Sequence, residues 1–199
     1  MLRFLFASLI TVGLGTTFTD AAVVTFDNGG GDTITTGDSL DEISMPTNGI
    51  AVVEVPGLTI DVVSFTGDNL NATGSSFGIN STVPGDDGDA FDVGEDVTFR
   101  FNQAVDIEEL DFTLFEGGDV FNFAGTSIAF ADTSMTSADR FTFPTPLRIA
   151  ANTPFTLQAT TGVVGLQQIE LSVVAVPEPT SMALLVGGLG IAGWRRRRR

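Results

Sequence analysis

The stretch Val97-Thr98-Phe99-Arg100-Phe101 alternates strictly between apolar and polar residues, which is the pattern of a β-strand with one buried face. The same alternation recurs at Leu110/Phe112/Leu114, Phe121/Phe123, Ile128/Phe130, Phe141/Phe143, Phe155/Leu157 and Ile169/Leu171/Val173, with further candidate strands at Val23–Phe26, Ala51–Val55 and Leu58–Phe65. Clusters of Gly, Asp and Pro separate these segments and are typical of turns. About ten short strands joined by turns predict an all-β protein, an antiparallel β-sandwich of jelly-roll type.

The aromatic residues indicate where the core of this sandwich lies. The chain has 17 phenylalanines, no tyrosine and a single tryptophan, Trp194. Many of the phenylalanines stand at alternating positions and therefore face one side of a predicted strand. An aromatic platform that stacks on sugars usually uses Trp and Tyr, whose polar atoms also bind the ligand. We therefore expect the phenylalanines to form the core.

The chain is strongly acidic. It has 25 Asp and Glu residues against 9 basic residues, and its formal net charge is -16. All the basic residues are arginines, and only Arg100, Arg140 and Arg148 lie away from the two ends of the chain. Such a surface repels phosphate and attracts cations, so the composition predicts that nucleic acid is not a partner.

The residue types that are missing exclude most enzyme chemistry. The chain has no Cys, no His and no Lys. It therefore has no disulfide, no thiol nucleophile, no Ser-His-Asp triad, no imidazole ligand and no Schiff base. Only carboxylate chemistry remains, and nothing in the sequence pairs Glu108, Glu109 or Glu116 across a cleft. The sequence predicts a protein that is not an enzyme.

The first residues have the layout of a secretory signal peptide. Arg3 is followed by an apolar run from Phe4 to Gly15, and small residues stand at Ala21 and Ala22. The apolar run has no polar stripe, which argues against a buried amphipathic helix. We expect residues 1–21 to form a signal helix that is removed by cleavage.

The last residues have the layout of a membrane anchor with a stop. Pro177, Glu178 and Pro179 precede an uncharged segment that runs to Trp194. The arginine cluster that follows comprises Arg195, Arg196, Arg197, Arg198 and Arg199. A helix over the uncharged segment would rise about 22 Å against a hydrocarbon core of about 30 Å, so the snorkelling arginines must supply part of the span. The positive-inside bias leaves the middle of the chain outside the cytoplasmic membrane.

Together these C-terminal features resemble the PEP-CTERM sorting signal of exported bacterial proteins, which is also labelled an ice-binding protein C-terminal domain. The resemblance implies sorting by an exosortase-type membrane peptidase that removes the tail near Pro177-Glu178-Pro179. The resemblance covers residues 176–199, the sorting signal. With residues 1–21 as signal peptide, residues 22–175 remain as the exported domain. Whether the tail is cut or stays as a permanent anchor is left open, because the two prolines also serve simply to end the last strand.

The densest polar feature is an acidic loop that runs from Pro84 to Asp96. Six acids lie between Asp86 and Asp96, and they repel one another unless a cation sits among them. Calcium prefers such oxygen ligands, which makes Asp86, Asp87, Asp89 and Asp92 the candidate metal ligands. The spacing departs from the EF-hand template, and Gly29–Ile34 resembles one unit of a calcium-binding glycine-rich repeat without being repeated. A solvated acidic loop is the alternative.

These observations favour an exported protein of the cell surface or extracellular matrix with a structural or adhesive β-sandwich. The second hypothesis is a calcium-dependent carbohydrate-binding module on the same scaffold, with an extracellular polysaccharide as its partner.

Two triplets, Asn71-Ala72-Thr73 and Asn80-Ser81-Thr82, also match the acceptor pattern of N-glycosylation.

Overall fold

The computed structural model describes residues 21–29, 34–82, 85–130 and 139–174. These residues belong to one unit, Asp20–Val174. The predicted signal helix, the predicted transmembrane helix and most of Gly29–Ile34 lie outside the described residues. Among the residues that are described, no helix has the length and apolar character needed to cross a membrane.

The described residues of this unit form twelve strands and one short helix. In chain order they are β1 (Ala22–Thr25), α1 (Thr36–Leu40), β2 (Thr47–Ala51), β3 (Thr59–Phe65), β4 (Asn69–Ala72), β5 (Phe77–Asn80), β6 (Asp96–Phe101), β7 (Val105–Thr113), β8 (Val120–Phe123), β9 (Thr126–Ile128), β10 (Asp139–Ile149), β11 (Pro154–Thr161) and β12 (Gly165–Val173).

The strands form two antiparallel sheets of six strands each. The first sheet has the order β10-β7-β12-β5-β4, with β1 paired to β12, and the second has the order β2-β3-β6-β11-β8-β9. The prediction of an all-β antiparallel sandwich is confirmed, whereas its jelly-roll type stays a prediction. The apolar faces of the two sheets enclose a single core cluster.

Strand β6 shows how the alternating pattern builds this core. Val97, Phe99 and Phe101 are at most 1% exposed, whereas the intervening Thr98 and Arg100 point outward. The ring of Phe99 lies 6.1 to 6.3 Å, centre to centre, from the rings of three other phenylalanines, Phe26, Phe77 and Phe155. Nine of the twelve largest buried side chains are phenylalanines, so the prediction of a phenylalanine core is confirmed.

Three strand predictions are wrong. Phe130, which is predicted to share a strand with Ile128, lies beyond the end of β9 at Ile128. The strand expected at Ala51–Val55 ends at Ala51, because the chain turns there and the Val55 N–H donates to the Val52 carbonyl at 3.1 Å. Val52 is buried beneath this turn, so its apolar character reflects burial in a turn and not a strand face. Likewise, β7 ends at Thr113, since Leu114 has a φ of 56°, a left-handed conformation that no strand continues.

The helix α1 is an element that the alternating pattern does not predict. It begins after Thr35, whose N–H donates to the Asp38 carboxylate at 2.7 Å. The Glu54 carboxylate accepts the backbone N–H groups of Thr25 at 3.0 Å and Thr36 at 3.2 Å, which ties β1 to the helix. A carboxylate distant in sequence thus accepts hydrogen bonds from backbone N–H groups that have no acceptor within the five-residue helix.

This helix packs beside a buried acid whose replacement is expected to stabilise the protein. Burial raises the pKa of the Asp27 carboxyl above its usual value; the Gly29 N–H lowers it, and the charges of Asp38 and Glu54 raise it. A raised pKa means that ionised Asp27 costs stability at neutral pH. Asp27→Asn keeps the acceptor for Gly29 and removes the charge, so we expect a higher melting temperature at pH 7.

The pH dependence shows whether the higher melting temperature of Asp27→Asn comes from removing the buried charge. Protonation of Asp27 stabilises the folded state. This stabilisation is fully present below pH 3.8, the pKa of Asp27 in the unfolded chain, and is lost as the pH rises through the higher pKa of the folded state. The difference between Asp27→Asn and the natural protein should therefore shrink towards pH 3.8. Asp68→Asn, which removes an exposed charge, is the matched control. A variant that melts lower than the natural protein at pH 7 would contradict the argument.

Candidate functional site

The acidic loop between β5 and β6 is held in place by two buried apolar residues. Ala90 and Phe91 are 0% exposed. The Ala90 carbonyl accepts the Ile79 N–H at 2.9 Å, and Phe91 exchanges backbone hydrogen bonds of 2.8 and 3.1 Å with Val164. Because these residues anchor the middle of the loop to both β5 and the start of β12, the acids on either side are brought to the surface close together.

Three acids converge as a result. Carboxylate oxygens of Asp86, Asp92 and Glu95 all lie within 4.8 Å of one another, and we call these residues the acidic trio. The Asp92 N–H donates to Glu95 Oε2 at 2.9 Å, while the Glu95 N–H donates to the Asp92 carbonyl at 2.9 Å. This reciprocal pair folds the chain back and turns the Glu95 side chain towards Asp86.

The trio contains only two of the four predicted metal ligands. Asp86 and Asp92 belong to it, whereas Asp87 and Asp89 are outside it and interact with each other. Glu95, the third member of the trio, is not among the predicted ligands. Its signal in the sequence is the Asp-x-x-Glu spacing from Asp92, which allows the side chain of the later residue to reach back to the earlier backbone.

The electrostatics of the loop show that its negative charge is crowded. Burial raises the pKa of the Glu95 carboxyl, and the charges of Asp86 and Asp92 raise it further, against the lowering effect of hydrogen bonds from the Asp92 N–H and Ser81. The hydrogen bond to Asp89, followed by burial and the Asp89 charge, raises the pKa of Asp87 to about 6. A cation among Asp86, Asp92 and Glu95 would offset the repulsion between their charges.

Ser81 connects the trio to the end of β5. Its N–H and its hydroxyl donate to the Asp86 carboxylate at 2.9 and 2.8 Å. These bonds hold one carboxylate of the trio in a defined orientation.

The trio opens onto a cleft of about 400 Å³. The cleft is lined by Ser81, Gly85, Asp86, Asp92, Val93, Glu95, Gly162 and Val163. A second cleft of about 310 Å³ shares Gly162 and Val163 and adds three further acids, Asp87, Glu116 and Asp119. This end of the sandwich therefore presents two adjoining clefts, both lined by carboxylates.

The basic side chains of the described ranges are all engaged elsewhere. Arg100 pairs with Asp61 at 2.7 Å, Arg140 pairs with Asp111 at 2.8 Å, and Arg148 pairs with Asp106. These pairs lie on the outer faces of the sheets, away from the lining of the two clefts. In the part of the chain that the structure describes, no arginine neutralises the trio, so its chemistry suits a cation.

The donor set of the trio fits calcium. Three carboxylates offer at most six oxygens, and calcium takes six to eight oxygens from carboxylates, carbonyls and water. Some of the trio's oxygens already accept backbone or hydroxyl hydrogens, so water molecules would have to complete the coordination. Calcium binding at this place stays a prediction.

The other predicted functional residues are in the tail. Pro177, Glu178 and Pro179 and the stop residues from Trp194 to Arg199 lie outside the described residues. Comparison with protein families matches residues 175–199 to the PEP-CTERM protein-sorting motif. The chain carries a PEP-CTERM sorting signal. The resemblance that the tail residues indicated is thereby confirmed.

The PEP-CTERM signal concerns the export and processing of the protein. Such signals are recognised by exosortase, a membrane protein, and they support export with processing at the membrane. The matched residues are one short segment of the chain, so the signal leaves the ligand of the β-sandwich unassigned. Comparisons with curated proteins and with solved structures gave no match.

Proposed function

We propose that this protein is a non-catalytic component of the cell surface or extracellular matrix, with a structural or adhesive β-sandwich. The PEP-CTERM signal supports the proposal most directly, because it supports export and exosortase sorting. The lack of Cys, His and Lys in the chain supports a role without catalysis.

The charge distribution supports a role that depends on cations. The arginines of the sandwich pair with acids on the sheets, while the carboxylates of the two clefts lack such partners among the described residues. Divalent cations that bridge these carboxylates to an anionic polysaccharide would give the domain adhesion without a deep ligand pocket.

The decisive test concerns the tail. In the host, mass spectrometry of the released protein should find a C-terminus near Pro179, because proline disfavours a helix and a peptidase binds its substrate in an extended conformation. A variant with Pro177→Ala, Glu178→Ala and Pro179→Ala together should stay in the membrane fraction and retain Arg199.

Ser181→Ala is the matched control, since it changes a residue beside the motif and should be processed normally. Released natural protein that retains Arg199 would refute cleavage, and protein confined to the cytosol would refute export. Either result would be seen in the same fractionation.

A calcium-dependent carbohydrate-binding module is the second candidate function. The acidic trio beside the 400 Å³ cleft favours it, since a bound cation there would fix the loop next to a ligand. Glycan-array binding that needs calcium and disappears with chelator would favour this function over a purely structural one. The array therefore separates the two candidates.

A further inference from the structure

Two N-glycosylation acceptor triplets begin on neighbouring strands, and they differ in how accessible their side chains are. Asn71 is in β4 and Asn80 is the last residue of β5, the strand paired with β4. N-linked glycosylation needs a side-chain amide nitrogen and a hydroxyl two residues later that a transferase can reach. Accessibility of these two groups therefore decides which triplet is an acceptor.

The Asn71 triplet is closed. Asn71 Nδ2 donates a hydrogen bond of 2.7 Å to the Gly88 carbonyl and is partly buried beneath the acidic loop. The Thr73 hydroxyl donates to the Asp89 carboxylate at 3.1 Å. Both reactive groups are thus engaged, and freeing them would break the contacts between β4 and the acidic loop.

The Asn80 triplet is open. Asn80 and Thr82 are both exposed, and the chain leaves the regular strand immediately after Asn80. The Asn80 backbone is held by its pairing with Asn69 and by the Asp68 N–H, which donates to the Asn80 carbonyl at 2.8 Å. Ser81 is held through its hydrogen bonds to Asp86. The amide and the hydroxyl that a transferase must contact therefore both face solvent at a strand end, where the backbone departs from the sheet.

We propose that Asn80 is an N-glycosylation site of the exported protein and that Asn71 is not. The donor is an oligosaccharide linked to a polyprenyl diphosphate. Asn80 Nδ2 forms a bond to the anomeric carbon of the sugar, the bond from that carbon to the diphosphate oxygen breaks, and polyprenyl diphosphate leaves. The amide nitrogen gives up one proton. The site rests on the proposed export, because the reaction takes place outside the cytoplasm.

The test is peptide mapping by mass spectrometry of the full-length protein expressed in its host. The peptide containing Asn80 should carry an added glycan mass that is lost in Asn80→Gln and in Thr82→Ala. The mass should be kept in Thr82→Ser, which restores the hydroxyl, and in Asn71→Gln, the matched control. An unmodified Asn80 on protein that has lost residues 1–21, or a glycan on Asn71, would overturn the proposal.

The same map separates this proposal from the proposed function. Unmodified protein that still begins at Met1 would count against export and not against the site. In that case the purified folded chain is incubated with an oligosaccharyltransferase that requires only the Asn-x-Ser/Thr triplet and with an oligosaccharide linked to a polyprenyl diphosphate. Modification at Asn80 alone would support the site, whereas modification at Asn71 or at neither residue would overturn it.

Discussion

Replacing Gly78 with alanine is expected to lower the melting temperature of the protein by about 6 to 12 °C. A Cβ at this position would lie less than 3.0 Å from backbone atoms of Ala90. Ala90 is fully buried, and its carbonyl accepts the Ile79 N–H, so the backbone cannot move aside without breaking a bond between β5 and the acidic loop. Such overpacking costs about 3 kcal/mol, and each kcal/mol shifts the melting temperature by about 2 to 4 °C in a protein of this size.

Gly88→Ala is the matched control, because it is the same substitution in the adjoining loop. A Cβ there would meet the side chain of Asn80 at 3.3 Å, and Asn80 is exposed and able to move. We expect a loss of less than about 1 kcal/mol for this control. Thermal unfolding followed by circular dichroism measures both variants. Equal melting temperatures for Gly78→Ala and the natural protein would show that the backbone at Ala90 moves aside for a Cβ at little cost, which would contradict the prediction.

Calcium is expected to raise the melting temperature by about 5 to 11 °C when its free concentration is about a hundredfold above the dissociation constant. A ligand that binds only the folded state stabilises it by about 2.7 kcal/mol under this condition. The cation would be held by the acidic trio, whose carboxylate oxygens lie within 4.8 Å of one another. The measurement compares unfolding in calcium with unfolding in chelator.

Glu95→Gln should abolish most of this calcium-dependent shift, because it removes one charge from the trio. The shift is compared within each variant, so a change in stability of the calcium-free protein does not affect the result. Glu116→Gln, which removes an exposed acid from the neighbouring cleft, is the matched control and should keep the shift. Identical melting temperatures in calcium and chelator would exclude a calcium site in the loop.

The predictable part of the fold follows from a geometric property of strands. Successive side chains of a strand point to opposite faces, so Val97, Phe99 and Phe101 must share one face wherever β6 lies. Their burial could therefore be predicted without knowledge of any neighbour, and it is confirmed. The same reasoning fails at Val52 and Leu114, because an apolar residue just beyond the end of a strand has the same side chain as one within it.

The unpredicted elements depend on partners that are distant in sequence. Strand β4 has one large apolar residue, Leu70, and β5 contains Gly78, so neither has a strong strand pattern of its own. They form because they pair with each other and because β5 also pairs with β12 at Leu166. Tertiary pairing overrides local preference in both strands.

Two properties of this protein could be derived from the order of its residues alone: the all-β class and the sorting signal at residues 175–199. Both depend only on residues that are close in sequence, since a strand pattern repeats every two residues and a sorting enzyme recognises a continuous segment. Only the tertiary structure decided that Glu95 joins Asp86 and Asp92 while Asp87 and Asp89 stand apart. Sequence spacing does not determine distances between side chains in a loop, and here the burial of Ala90 and Phe91 determines them.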